Sequence, residues 1–521
     1  MTVDLPPDFA PATAESLGRY AVQLLAFLSS AHVRSIFAYH PNYVVVHGPR
    51  PEWNESPDGW WDWAAAGPRR WELIVDALLS PCPSAHSDEG ATSTLPASLR
   101  RLLSDAARLA LPRTSGERKM DPLRDGNGRL PVGMKPKKAH EVRRMSAFVG
   151  DQVRASSVKT CRIVDVGAGQ GYLSRALAGP PHNLHLLALD SSEIQTNGAK
   201  EQEAKAEKRR SKKKKESSVQ DDLPAAEPSQ PGSLSHVLLR VNPQSLDQAI
   251  TEWTGASQPS SNEDNTAPAN AVHLVALHAC GGLTPNILRQ VVTQCRRATD
   301  DPSLWLPTGM SAVGCCYHLI DQTSDFPMSQ QVQSLNERYS LQLIAQHLHL
   351  AAQCPLHWRS TTEAWANTQM AVKKIIYRAL LVRLSPPESE SQPSEDGESA
   401  EKAPRLGRLH DNVYSSWSAF LDVAAPKMGI ERESVRTVVG PEEGIGETND
   451  PGELTAQARR LEVLHILRCA LGPIVESLIL IDRYLYLLEN LPSEEWQVDL
   501  INLFDQSTGS ARNVCLAARR R

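Results

Sequence analysis

The chain has 521 residues, of which 41% are hydrophobic and 22% charged, with a formal net charge of −5. That length exceeds one ordinary core and predicts two lobes plus linkers, while the lack of any run of about 18 uninterrupted apolar residues argues against a membrane span or a signal-peptide core. The acidic balance argues against a protein that coats nucleic acid over its whole surface, and nine scattered cysteines fit a soluble, intracellular chain with free thiols better than a disulfide framework.

Residues 1–130 read as a helical N-terminal lobe. Leu17, Tyr20, Leu24, Leu25 and Leu28 recur at helical spacing, and so do Leu99, Leu102, Leu103, Ala106 and Leu109. Between them, "EWNESPDGWWDWAAAGPRRW" carries Trp53, Trp60, Trp61, Trp63 and Trp71. Such aromatics could stack bases, but beside Pro and Gly they ordinarily form a loop tucked onto a helical core. The block "MKPKKAHEVRRM", starting at Met134, predicts a helix with Lys137 and Lys138 in its first turn. Cations there oppose the helix dipole. A role in steering phosphate or a ligand carboxylate, with His140 and Glu141 facing the same ligand, stands against a solvated turn with an i,i+4 partner.

From residue 162 the pattern changes. The short apolar runs "CRIVDVG", "LHLLALD", "VLLRV", "AVHLVALH" and "SLWLPTGMSAVGCC" alternate with helical segments. This predicts an α/β core over 131–385, with a central, mostly parallel sheet and helices on both faces. Two polar segments, 200–235 and 254–270, bury too little apolar surface to offset the entropy of ordering and are expected to be disordered insertions. Within the first, residues 200–215 hold nine Lys or Arg against three Glu. A solvated insertion is the ordinary explanation, and delivery of RNA to the site or a nuclear import signal the functional ones. Residues 386–404 read as a disordered linker. Residues 405–521 read as a helical extension whose terminal β-hairpin, "QVDLINLF" to "ARNVCLAARR", completes the core.

The stretch "RIVDVGAGQGYLSRAL" places Gly167, Gly169 and Gly171 between a strand and a helix. Bare backbone there lets N–H groups approach an anionic ligand at the helix N-terminus. The spacing is G-x-G-x-G rather than the G-x-G-x-x-G of dinucleotide enzymes, and Asp165 stands two residues before the first glycine. That acid would repel a pyrophosphate but can receive an amino-acid group, which favours S-adenosyl-L-methionine over NAD. Asp190 ends the next strand, where a carboxylate accepts ribose hydroxyls, and Arg240 to Asn242 are expected to border the adenine.

Four blocks, "MKPKKAHEV", "DVGAGQGYLSRAL", "LHACGGLTP" and "VGCCYHLI", together with "LILIDRYLYLLE" and "SARN", resemble the methyltransferase-like 25 family, also called the ribosomal RNA adenine dimethylase domain-containing family. The resemblance runs from about residue 130 to the end and more loosely through the N-terminal lobe. It implies a Rossmann-like class I methyltransferase fold with a helical N-terminal lobe and a helical C-terminal elaboration. It also implies S-adenosyl-L-methionine as cofactor, bound by Lys138, His140, Glu141, Asp165, Gly167, Ala168, Gly169, Gly171 and Asp190. The expected acceptor is RNA or a protein of the translation apparatus. The competing class is a binding or scaffold protein that keeps the fold without transferring methyl groups. Adenine N6-methylases carry Asn or Asp, then Pro-Pro and an aromatic, after the fourth core strand. This chain has His278, Ala279, Cys280, Gly281 and Gly282 there, which argues against N6-adenine dimethylation, and Gly282 stands where the family often has Asp.

His278 and Cys280 are the candidate catalytic residues. His278 can take a proton from a hydroxyl or amine, or it can simply shape the turn. Cys280, Cys315 and Cys316 would be neighbours at adjoining strand ends. A thiolate attacking a pyrimidine ring, and zinc held with His278 and His318, are the two functional readings. Small thiols filling space beneath the cofactor is the bland one, and no metal site is assigned on sequence grounds.

Overall fold

The computed structural model describes residues 2–42, 44, 59–79, 95–114, 134–160, 162–217, 232–256, 270–384, 406–431, 453–506 and 510–521. They fall into two compact units. One comprises Met1–Leu25, Leu111–Ala352 and Val475–Arg521; the other comprises Ala26–Ala110 and Gln353–Ile474.

The first unit is built on an eight-stranded sheet. Its strands are β1 (Thr2–Val3), β2 (Arg162–Val166), β3 (His185–Asp190), β4 (Leu234–Leu238), β5 (Ala271–Cys280), β6 (Leu306–Cys315), β7 (Trp496–Asn502) and β8 (Val514–Arg520). Their order is β1-β7-β8-β6-β5-β2-β3-β4. β4, β3, β2, β5 and β6 run parallel, whereas β8 lies antiparallel between β6 and β7. This is the expected Rossmann-like methyltransferase architecture. The chain runs outward from β2 through β3 to β4, then returns to β5 on the other side of β2, so the sheet has its topological switch point between β2 and β5. Ligands of open α/β sheets bind at the carboxyl ends of strands beside such a point.

All five residues of β2 are buried, which requires cover on both faces of the sheet. On one face, Val142, Met145 and Val149 of the Pro136–Ala155 helix share a core with Ile163, Leu186 and Val275. The helix starts where Pro136 supplies a preset φ and no surplus N–H, and its first turn carries Lys137 and Lys138 as predicted. The Leu283–Asp300 helix packs on β5 and β6.

Several expectations need correction. The run "VLLRV" coincides only in part with the third core strand: β4 begins three residues earlier, at Leu234, and pairs with β3 only as far as Asp190↔Leu238. It is an edge strand, so Val237 and Leu238 remain 38% and 51% exposed, and apolar density alone misplaced it. Residues 1–130 are not one helical lobe. The Ala14–Leu28 and Ala97–Leu109 helices form as their periodicity predicts. But Thr2–Val3 pairs parallel with β7, covering what would be an exposed edge, and residues 26–110 share a unit with 353–474. A two-residue strand carries no periodic signal, which is why the sequence reading missed it.

The insertion 200–235 is also not wholly irregular, because a helix runs Glu193–Ser217. Its Ala, Glu, Gln, Lys and Arg content has high intrinsic helix propensity, and Glu201 pairs with Lys205 at 3.7 Å one turn on. Lack of apolar surface argues against a packed core, not against a solvated helix. Residues 218–231, 257–269 and the 386–404 linker lie outside the described residues.

Tryptophans in the second unit pack rather than stack outward. Trp60, Trp61 and Trp71 are buried, on the helices Trp60–Ala65 and Arg70–Leu79 rather than on a loop. Trp60 Nε1 donates to Ser98 Oγ at 2.7 Å, and the rings of Trp71 and Trp365 are 5.3 Å apart. Trp53 lies outside the described residues. In the same unit Arg468 Nη1 donates to the carbonyls of Ile36, Phe37 and Tyr39, each at 2.9 Å, satisfying carbonyls that the end of the Ala31–Ala38 helix leaves without intrahelical partners. The stretch Thr455–Asn490 is long and apolar enough to cross a membrane, yet 89% of its apolar window is buried inside the protein, as in the core helices of globular proteins.

Candidate active site

The loop after β2 is shaped by three left-handed glycines, Gly167, Gly169 and Gly171, with φ of 75°, 55° and 65°. L-residues are strained in that region. Gly167 and Ala168 both donate N–H to the Leu189 carbonyl, at 2.9 and 3.0 Å, which ties the loop to β3. A Cβ placed on Gly169 would meet no atom within 4 Å, so that face of the loop opens on space. The space is a cavity of about 760 Å³ at the switch point, lined among others by Asp165, Gly169, Asp190, Arg240, His278 and Cys280.

Asp190 stands at its rim. Oδ2 accepts the Gly169 N–H and Oδ1 accepts the Ser192 N–H, both at 2.8 Å. Each carboxylate oxygen retains acceptor capacity for a ligand, and the carboxylate cannot swing away. Asp165 is deeply buried, and its Oδ2 accepts the Ser174 hydroxyl at 2.6 Å. Burial pushes its pKa up to about 6, with Asp190 adding to the rise, against the Ser174 hydrogen bond and the Lys138 charge. Lys138 also lines the cavity. Its pKa is lowered by burial, an effect that Glu141 and Asp165 partly offset.

Residues expected to face the ligand divide into two groups. Lys138, Asp165, Gly167, Ala168, Gly169 and Asp190 line the cavity, whereas His140, Glu141 and Gly171 do not. His140 accepts the Asp505 N–H at 3.2 Å and packs edge-on against Phe504, so it anchors the segment following β7. One helical position further on, Glu141 is 2% exposed and hydrogen-bonds His278 Nε2 through Oε2 at 3.1 Å. Burial alone would raise its pKa, but the His278 hydrogen bond and charge, with Lys137 and Lys138, hold it below the usual value. His278 lines the cavity. Glu141 therefore supports the candidate base from behind, a pairing that spacing in the sequence does not show.

Gly171 closes the loop by admitting close approach: a Cβ there would lie 3.3 Å from both Arg175 Nη1 and His236 Cε1. Gly282 also has a neighbour that sequence reasoning missed. A Cβ on Gly282 would stand 2.9 Å from Asp325 Oδ2, and Asp325 is held by Arg289 at 2.8 Å. A carboxylate thus occupies that neighbourhood from another segment. Gln170 and Gln195 likewise line the cavity with their side chains joined at 2.7 Å. Gln170 lies inside the glycine loop and could have been named from its position.

Cys280 opens on the cavity, and its Sγ is 3.1 Å from Cys315 Sγ. Hydrogen bonding from Cys315 draws the Cys280 pKa down to about 6, against burial. The turn carrying Cys315 and Cys316 is braced from below. Buried Arg483 lies over the Tyr317 ring, and Tyr317 donates its hydroxyl to Glu476 at 2.9 Å. The block "LILIDRYLYLLE" therefore supports this turn rather than touching a ligand.

The arrangement offers a carboxylate rim suited to vicinal hydroxyls, a second carboxylate and a lysine deeper in, and a carboxylate-backed histidine at the mouth. A family model described as a methyltransferase domain matches residues 137–323. The chain is 23% identical over 473 residues to the probable methyltransferase-like protein 25 of Mus musculus, covering 71% of this chain and 73% of the relative. The protein of the same name from Homo sapiens is 23% identical over 475 residues, covering 71% and 72%.

Proposed function

We propose, from the methyltransferase-like family assignment that this domain match and these relatives support, that the protein is an S-adenosyl-L-methionine-dependent methyltransferase acting on RNA. The observation that carries the reading is the cavity at the switch point, with a left-handed glycine loop on one side and Asp190 at its rim. Fit supports it as well. The cavity of about 760 Å³ is in the size range of small-molecule sites, and at Gly169 the space that a Cβ would enter is open. Asp190 would hold the ribose hydroxyls, Asp165 and Lys138 the amino-acid end, and Leu239 to Val241 border the base.

When bound, the cofactor supplies an activated methyl group on a sulfonium. The protein must align an acceptor, exclude water and remove a proton. A carboxylate only accepts, so Glu141 fixes the proton of His278 on Nε2 and leaves Nδ1 as the proton acceptor. As Nδ1 takes a proton, Glu141 stabilises the resulting imidazolium. For the acceptor, the Glu193–Ser217 helix supports RNA: Gln195 near its start lines the cavity, and the excess of Lys and Arg over 200–215 lies along the same helix.

Titration calorimetry with S-adenosyl-L-methionine, followed by transfer of tritiated methyl to fractionated RNA and protein, tests the reading. Label in RNA is the expected result. Binding without transfer to either fraction would instead identify a scaffold, and label confined to protein would overturn the RNA assignment.

His278→Ala is expected to lower kcat by about 10²–10⁴-fold, the usual worth of a general base, while cofactor affinity in calorimetry stays within about threefold of wild type. Glu141 is a positioning residue. Glu141→Gln should therefore lower kcat less and move the acidic limb of the kcat–pH profile to lower pH, because the imidazolium loses its counter-charge.

Cofactor affinity should also depend on pH. Asp165 receives a ligand ammonium only when ionised, so affinity should fall as pH drops through about 6, by up to about tenfold per unit. The stability of the unliganded fold runs the other way. An acid whose folded pKa is raised contributes stability that is full below its unfolded value and lost as pH rises through about 6. Asp165→Asn should weaken cofactor binding at neutral pH and flatten its pH dependence. A calorimetric series from pH 5 to 8 reads both, and an unaltered slope in the variant would remove Asp165 from the ligand.

A further inference from the structure

Beside the cavity, two strained turns close on each other. Cys280 ends β5, Cys315 ends β6, and the two are register partners. Cys316 joins them by adopting a left-handed backbone, φ 47°, a conformation costing a non-glycine residue about 1–3 kcal/mol. Gly281, with φ 52°, faces it. A Cβ there would be 2.6 Å from Leu319 Cβ and 2.8 Å from the Leu319 carbonyl oxygen, so only glycine lets the turns approach. The outcome is three thiol sulfurs all within 4.8 Å of one another.

Filling space does not demand this. Cys295, Cys469 and Cys515 are each buried in the fold, whereas Cys280 and Cys316 are only half-buried and Cys280 opens on the cavity. We propose that Cys280, Cys315 and Cys316 together bind one soft divalent cation of the zinc class through three thiolates. An ion about 2.3 Å from each of three sulfurs in a tetrahedral array needs them about 3.8 Å apart. The cluster is compatible with that spacing, with Cys280 and Cys315 sulfurs 3.1 Å apart and no pair of the three beyond 4.8 Å.

Each thiol releases its proton to solvent on binding, and three thiolates with a divalent ion carry one net negative charge. The guanidinium of Arg483 is within electrostatic reach of Cys315, a reach it shares with Tyr317, Asp482 and Asp325, and its Nη1 lies 2.8 Å from where a Cβ on Gly314 would stand. Among the described residues no His, Asp or Glu completes the group at the same spacing. Three protein ligands leave the fourth tetrahedral position to water or to an acceptor atom, the pattern of reactive rather than purely structural zinc sites.

The test uses the full chain, purified reduced and dialysed against zinc, with metal counted by mass spectrometry. One equivalent is expected. Cobalt substitution should give thiolate-to-metal charge transfer of an intensity fitting three sulfurs. Cys280→Ser, Cys315→Ser and Cys316→Ser should each weaken zinc binding by at least about 100-fold, and Cys354→Ser, outside the cluster, should not. A full equivalent retained by Cys316→Ser, or no charge transfer in wild type at saturating cobalt, would overturn the proposal. The cobalt spectrum of the unaltered chain decides the matter even if serine variants misfold. Metal content is read without cofactor or acceptor, so its failure is separable from failure of the methyltransferase reading.

Discussion

Asp190→Ala is expected to weaken S-adenosyl-L-methionine binding by roughly 100-fold or more, since each charge-assisted hydrogen bond to the ribose contributes about 1.5–3 kcal/mol and about 1.4 kcal/mol is a factor of ten. The carboxylate does more than meet the ligand. Its two oxygens hold the N–H groups of Gly169 and Ser192, so its removal frees both donors and loosens the loop that faces the cavity. Asp190→Asn separates these effects. The amide oxygen can keep one of the two anchors while the charge is lost, so its affinity should fall between wild type and Asp190→Ala. Calorimetry gives the affinities, and thermal unfolding without ligand shows that both variants remain folded. Equal affinity in all three proteins would sink the assignment.

Gly169→Arg should abolish binding by a different route. Its φ of 55° makes any L side chain pay about 1–2 kcal/mol of backbone strain, a modest loss that should lower the melting temperature by a few degrees. The larger effect is steric. A side chain leaving the open face of Gly169 enters the space the ligand needs, and it adds a positive charge where a sulfonium would lie. Ligand-induced stabilisation, measured as the shift in melting temperature with saturating S-adenosyl-L-methionine, is expected to vanish. A wild-type shift in this variant would mean that the ligand binds elsewhere.

The two variants also mark how far the site was legible in the sequence. Asp165, the three glycines and Asp190 could be named beforehand because a strand, a turn with φ > 0 and a second strand are local requirements met within residues 162–190. His140 stays out of the cavity lining for a geometric reason. It neighbours Glu141 and Lys138 in the chain, but a helix turns successive side chains in different directions, and His140 meets Phe504 and Asp505 instead. The partner of Glu141 was not legible: His278 lies 137 residues away, and no spacing rule connects a helix before β2 with the end of β5. Asp325 gave no signal, because its relation to Gly282 exists only once the chain after β6 folds back.

By itself the amino-acid sequence determined the alternation of strands and helices, the parallel core, the closing hairpin and the glycine loop, all of which follow from periodicity and backbone preference over short windows. Tertiary structure alone decided that the first residues add a strand beside β7 and that residues 26–110 pack with 353–474. It also decided which carboxylate backs His278 and that three cysteine sulfurs meet. The physical reason is common to these cases. Register, edge cover and side-chain encounter depend on surfaces brought together from distant parts of the chain.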